Sequence, residues 1–179
     1  MHSTKWAVIV ALLLLIVGAG CSRNLSRDVK DSVKKSLEQA GLSDVKVDQD
    51  RDSGVITLSG QVKSDDEKAR AETVAKTAAG NQVVSNQIGV RPVGFESESK
   101  EIASEQDTAI EKNFHAALIS NVMDKDVKYE AKNGVLTLTG EVNSQANRDQ
   151  LEKLAASIPN VKQVVNETQV KGQKATTTP

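Results

Sequence analysis

Gly54-Val-Ile-Thr-Leu-Ser-Gly60-Gln-Val62 and Gly134-Val-Leu-Thr-Leu-Thr-Gly140-Glu-Val142 are one stretch written twice, 80 residues apart. Each core is β-branched and alternating, the pattern of a half-buried strand. Ser53-Gly54 and Asn133-Gly134 supply the tight turn of a hairpin before it, and Gly60 and Gly140 end or bulge it. These four glycines are therefore read as structural. At the same shift Ser64 meets Ser144, Glu72 meets Glu152 and Ala75 meets Ala155, while Val84, Asn86 and Val90 meet Val164, Asn166 and Val170. A register held without a gap over both segments marks an internal repeat.

Working outward, Val29, Val33 and Leu37 match Ile110, Phe114 and Leu118 at a shift of 81. Their spacing predicts a helix, with Gly41 as the first copy's C-terminal stop. The extra residue belongs in the loops: Asp48–Ser53 in the first copy, the shorter Glu130–Asn133 in the second. Val45 and Val47 predict the strand before the hairpin. Ser64 with Glu67 three residues on predicts a capping box. The helix it opens buries Ala71, Val74, Ala75 and Ala78, with Leu151, Leu154, Ala155 and Ile158 in the second copy. A last strand runs over 83–90, or 162–170. The fold class is thus α+β, two tandem α-β-β-α-β units, each a three-stranded mixed sheet with two helices on one face. The first two strands pair antiparallel, and the third lies parallel to the second. The units span 25–92 and 105–171, with a polar linker over 93–104 and a disordered tail over 172–179. A unit of about 68 residues buries only about 60% of its unfolded surface, so the copies are expected to support each other or a partner.

Composition excludes several function classes. The 179 residues carry 23 basic against 24 acidic side chains, which excludes a polybasic nucleic-acid binder. Four aromatics, Trp6, Phe95, Phe114 and Tyr129, argue against stacking platforms and aromatic-lined pockets. Cys21 is the single cysteine, so no disulfide closes within the chain.

The first twenty residues read as an address. Lys5 precedes the apolar run Trp6–Val17, and Gly18-Ala19-Gly20 leads into Cys21, as in a secretory signal. Residues 18–21 resemble the lipobox of signal peptidase II substrates, except that Gly18 stands where Leu or Val is usual. By that resemblance Cys21 is lipidated, and Ser22 directs the chain to the periplasmic face of the outer membrane. Acyl chains at about 0.8 kcal/mol per buried methylene then hold it there. The alternative is ordinary secretion to a soluble periplasmic location, or an uncleaved anchor, with Cys21 a bystander.

The glycine-flanked strands at 54–60 and 134–140, with Val-x-Asn-x-x-x-Val after the second helix, resemble the BON (bacterial OsmY and nodulation) domain. With the lipidated cysteine, the pattern resembles dual-BON outer-membrane lipoproteins. The Gly-Val usual before the last strand is Gly80-Asn81 in one copy and Asn160-Val161 in the other. The resemblance implies a non-catalytic protein that associates with phospholipid surfaces, supports envelope integrity and protects against osmotic stress. Its implied partners are membrane phospholipid and an envelope protein, with no nucleic acid and no cofactor. A second class stays open, a periplasmic chaperone-like stress protein for which the lipid is only a tether.

Little else points to chemistry. Beyond the signal, His115 is the single histidine, and no thiol remains for a Cys/His nucleophile or a zinc cluster. It follows Phe114 and reads as a surface or boundary residue. Asp48-x-Asp50-x-Asp52 resembles an EF-hand start, but Ser53 and Ser59 hold the Gly and Glu places. A solvated hairpin loop is the better reading, and no metal is expected. Lys30, Lys34 and Lys35 on the first helix are candidate contacts to an anionic bilayer, at about 1 kcal/mol each. Asp28, Asp31 and Glu38 interleave with them, Asp31–Lys35 being a favourable pair, so an ordinary solvated helix face competes with that reading. Residues 25–92 balance 11 basic with 11 acidic side chains, so net charge alone does not drive lipid binding.

Overall fold

A computed structural model describes residues 25–121, 123 and 126–171. The signal segment with Cys21 and the tail from Gly172 lie outside the described residues. The first unit runs α1 (Lys30–Gln39), β1 (Lys46–Asp50), β2 (Val55–Ser59), β3 (Gln61–Val62), α2 (Asp65–Ala79), β4 (Val83–Asn86) and β5 (Gly89–Val90). The second runs α3 (Glu96–Ser120), β6 (Val127–Lys132), β7 (Val135–Val142), α4 (Gln145–Ala156), β8 (Gln163–Asn166) and β9 (Gln169–Val170). In each, the hairpin pairs antiparallel and the later strand adds parallel to its second arm, giving the orders β1-β2-β4 and β6-β7-β8.

The helices form where caps and apolar spacing coincide. The Glu67 amide donates to Ser64 Oγ (3.2 Å), and the Glu67 carboxylate accepts from the Lys63 amide (2.9 Å). Ser144 repeats the cap, accepting from the Asn147 amide at 3.1 Å. Each such cap is worth about 1 kcal/mol. Val33 and Leu37 of α1 meet Ala71 and Ala75 of α2 over Ile56, Leu58 and Val84. In the second unit Ile110, Phe114 and Leu118 meet Leu151 and Ala155 over Leu136 and Leu138. Val74 and Ala78, expected in the core, are partly buried at its margin, whereas Ala79 is fully inside.

Three local expectations change. The last strand breaks in two, because the Asn86 side-chain carbonyl accepts from the Ile88 amide (3.4 Å) and turns the chain so that Ile88 enters the core. Asn166 does the same, accepting from the Thr168 amide (3.2 Å) and hydroxyl (2.6 Å). The hairpin loops are shorter than read. Asp48 and Asp50 stay in β1 opposite Thr57 and Val55, and Glu130 to Lys132 stay in β6, leaving tips of 51–54 and 133–134. Polar residues on an edge strand face water and do not end it. The stretch 93–104 is helical from Glu96 onward, with Glu96 and Glu98 in the first turn of α3, where carboxylates suit the helix dipole.

The two units pack on each other through the sheet faces that carry no helices. Strand alternation puts Val55 and Thr57 of β2, and Val135, Thr137 and Val165 of the second sheet, on those faces. Val55, Val135 and Val165 form a separate small core, each 3% exposed or less. Ser85, on the same face of β4, is 1% exposed. The mutual support expected of two marginal units is therefore built from the second face of each sheet.

Candidate functional site

Beside this contact the units leave a cleft of about 480 Å³. One wall is α2, presenting Asp65, Lys68, Glu72 and Lys76, with Asn86 behind. The other is Asn133, Val135, Lys162 and Gln163 of the second unit. Gln163 fastens the two. Its Nε2 donates to the Val84 carbonyl (2.7 Å), and its Oε1 accepts from the Asn86 amide (3.1 Å). One side chain thus satisfies the free edge of β4, as a further strand would. The Asn133 side chain adds a bond to the Gln87 carbonyl (2.8 Å). Gln163→Ala is expected to cost about 1–3 kcal/mol, because two half-buried backbone groups lose their partner. Urea denaturation checks it, and the transitions of the two units should separate.

Asn86 and Glu72, matched to Asn166 and Glu152 by the repeat, are joined by side-chain bonds between helix and strand. Asn86 Nδ2 donates to Glu72 (2.9 Å) and to the Lys68 carbonyl (3.3 Å); Asn166 Nδ2 donates to Glu152 (3.3 Å) and the Arg148 carbonyl (3.2 Å). The bond from Asn86, then Lys76 at 2.5 Å, holds the Glu72 carboxyl below its ordinary range. Lys68 is lowered too, but there the shift disfavours the charged form. Burial, then the like charge of Lys162, pushes its ammonium below the usual lysine range.

The residues singled out from sequence lie elsewhere. Lys30, Lys34 and Lys35 are exposed on α1. Lys30 is tied to Asp48 at 2.9 Å, and Lys34 stands 4.0 Å from Glu38, so part of the basic run is already neutralised. The pairing of Asp31 with Lys35 is not formed among the described residues. Asp50 accepts from the Asp52 and Ser53 amides (2.8 and 3.3 Å), so its carboxylate closes the hairpin tip. Among the described residues no group of three His, Cys, Asp or Glu side chains is placed to hold a metal ion. His115 is exposed, with Nδ1 2.8 Å from the Tyr129 hydroxyl. Gly54 and Gly134 sit at the hairpin tips with positive φ (71° and 82°); Gly60 (103°) separates β2 from β3, and Gly140 (108°) lies within β7 opposite Val127.

Residues 23–92 and 106–172 each match the BON domain. The chain belongs to the BON domain family. Osmotically-inducible protein Y of Escherichia coli strain K12 is 37% identical over 122 residues, 67% of this chain. The match spans 59% of that relative's length. Two solved structures of CdsD, a structural protein of the type III secretion system of Chlamydia trachomatis, are 13% identical over 78% of this chain. One, its C-terminal domain, is covered over 66% with a TM-score of 0.33; the other is covered over 60% with a TM-score of 0.32. Among the described residues of this BON protein, no helix is long and apolar enough to cross a membrane.

The cleft between the BON units was missed from sequence, although the repeat carried a signal for it. At the shift of 80, Val83 is replaced by Gln163 and Gln82 by Lys162. These polar and charged departures from the register mark positions where the two units cannot do the same job.

Proposed function

We propose that this BON protein is a non-catalytic component of the bacterial cell envelope. Acyl chains on Cys21 tether it to the periplasmic face of the outer membrane. There its two units bind phospholipid surfaces or an envelope protein and support membrane integrity under osmotic stress. The observation that carries this reading is the kinship with osmotically-inducible protein Y. The apolar run ending at Gly18-Ala19-Gly20-Cys21 supports the tether. Lys34 and Lys35, exposed on α1 and 13 and 14 residues after Cys21 in the sequence, support contact with an anionic surface.

Cys21→Ala tests the tether. Cell fractionation should move the protein from the outer-membrane fraction to the soluble periplasm, and an unchanged location overturns the anchor. Flotation of a version beginning at Ser22 tests the binding. It should rise with vesicles of anionic phospholipid or retain an envelope component, and failure in both defeats that half of the reading.

A further inference from the structure

The internal repeat shows what structural work two of the cleft lysines leave undone. Lys68 occupies the place of Arg148 in the second unit, and Lys162 the place of Gln82 in the first. Arg148 donates to the Asn166 and Thr168 carbonyls (2.7 and 3.0 Å), binding α4 to the turn after β8. Gln82 donates to the Arg27 carbonyl (2.6 Å) and accepts from Gln49 (2.8 Å), closing the chain that enters α1. Neither lysine takes over such a task. Among the described residues, neither ammonium has a carboxylate within ion-pair reach. Both nevertheless line the interdomain cleft and the smaller one adjoining it.

The local backbone brings Lys162 there. A Cβ on Gly134 would stand 3.0 Å from Lys162 Cδ, so the glycine leaves room for the lysine stem to lie across the hairpin tip. The carboxylates nearby are largely committed. Glu72 is held by Asn86 and Lys76, and Asp107 accepts from the Asn133 and Gly134 amides (2.8 and 2.9 Å). Asp65 remains, in the first turn of α2. The lining thus carries Lys68, Lys76 and Lys162 against Asp65 and Glu72.

We propose that this cleft is an anion site that takes a phosphate group, held between the ammonium groups of Lys68 and Lys162. Two point-charge donors from opposite walls suit a tetrahedral oxyanion, which offers oxygens in several directions. Among the described residues no aromatic side chain lines the cleft, so none of them stacks on a base. The electrostatics agree with this geometry: burial, then the charge of Lys162, outweighs the pull of Asp65, Glu72 and Asp107 on the Lys68 ammonium, and an anion between the lysines offsets both. The site does not depend on the membrane reading above. A free phosphate and a lipid headgroup share the chemistry.

Phosphate titration of the full-length protein in non-ionic detergent, followed by NMR at constant ionic strength, tests it. Saturable shifts are expected at Lys68 and Lys162, with a rise in the Lys68 pKa. Lys68→Gln and Lys162→Gln should each weaken phosphate binding at least about tenfold, the size of one charge-assisted hydrogen bond. A Lys112→Gln protein, altered at an exposed lysine of α3 outside the cleft, should bind phosphate unchanged. No saturable response, or binding retained in the double cleft variant, overturns the site. Success of the flotation test alongside that result leaves the membrane reading standing. A second titration uses dihexanoyl phosphatidylglycerol as monomer. Binding lost with the same lysines assigns the phosphate to a lipid headgroup; phosphate binding without it assigns a free phosphate.

Discussion

Phe114→Ala is expected to destabilise the second BON unit by about 3–5 kcal/mol, the usual range for emptying a buried phenylalanine site. Phe114 is fully buried between α4 and the sheet, its ring edge-on to Tyr129 with centroids 5.2 Å apart. The remainder of that core is aliphatic or alanine, with Ile110, Leu118, Leu136 and Leu151 around it. A unit of this size holds about 3–10 kcal/mol in total, so the loss removes most of its stability. Urea denaturation should show this unit melting well before the first. Phe114→Leu, which keeps most of the volume, should cost less than about 1.5 kcal/mol. A cost below 1 kcal/mol for the alanine variant would contradict the assigned core.

Gly60→Ala and Gly140→Ala should each cost about 2–4 kcal/mol, from positive φ and backbone collision together. At Gly60, φ is 103° and an added Cβ would stand 2.6 Å from the Asp44 carbonyl oxygen. Gly140 repeats the geometry, with the Asp126 carbonyl as obstacle. Gly41 is the internal control. Its φ of 75° is also positive, but nothing lies within 4 Å of an added Cβ. Gly41→Ala should therefore cost about 1–2 kcal/mol, the conformational part alone. Equal costs at Gly41 and Gly60 by thermal or urea denaturation would remove the collision from the account.

The sequence made particular elements readable because their causes are local. Val55 to Ser59 alternates and is bounded by glycines, and β2 has those limits. Ser64 and Ser144 cap the helices that follow them, since a cap needs only a hydroxyl three residues ahead of an amide. The division of the last strand was not readable in advance. Asn86 bonds forward to Ile88 and across to Glu72, and the second contact exists only once α2 has packed on β4. The extent of α3 was likewise hidden, because its first turns are polar and bury little.

The lysines illustrate the same limit. Lys30, Lys34 and Lys35 stood out because they are close in sequence, yet folding ties Lys30 to Asp48 from another element. Lys68 and Lys162 are unremarkable singly and meet only across the interface. Sequence alone determined the two α-β-β-α-β units, the register between them and the family they belong to, because repeated periodicity and turn chemistry act over a few residues. Tertiary structure alone decided that the helix-free sheet faces join, that Gln163 seals the edge of β4, and that two lysines are left facing one cleft. Those outcomes depend on groups 79 to 94 residues apart coming together, which no local pattern encodes.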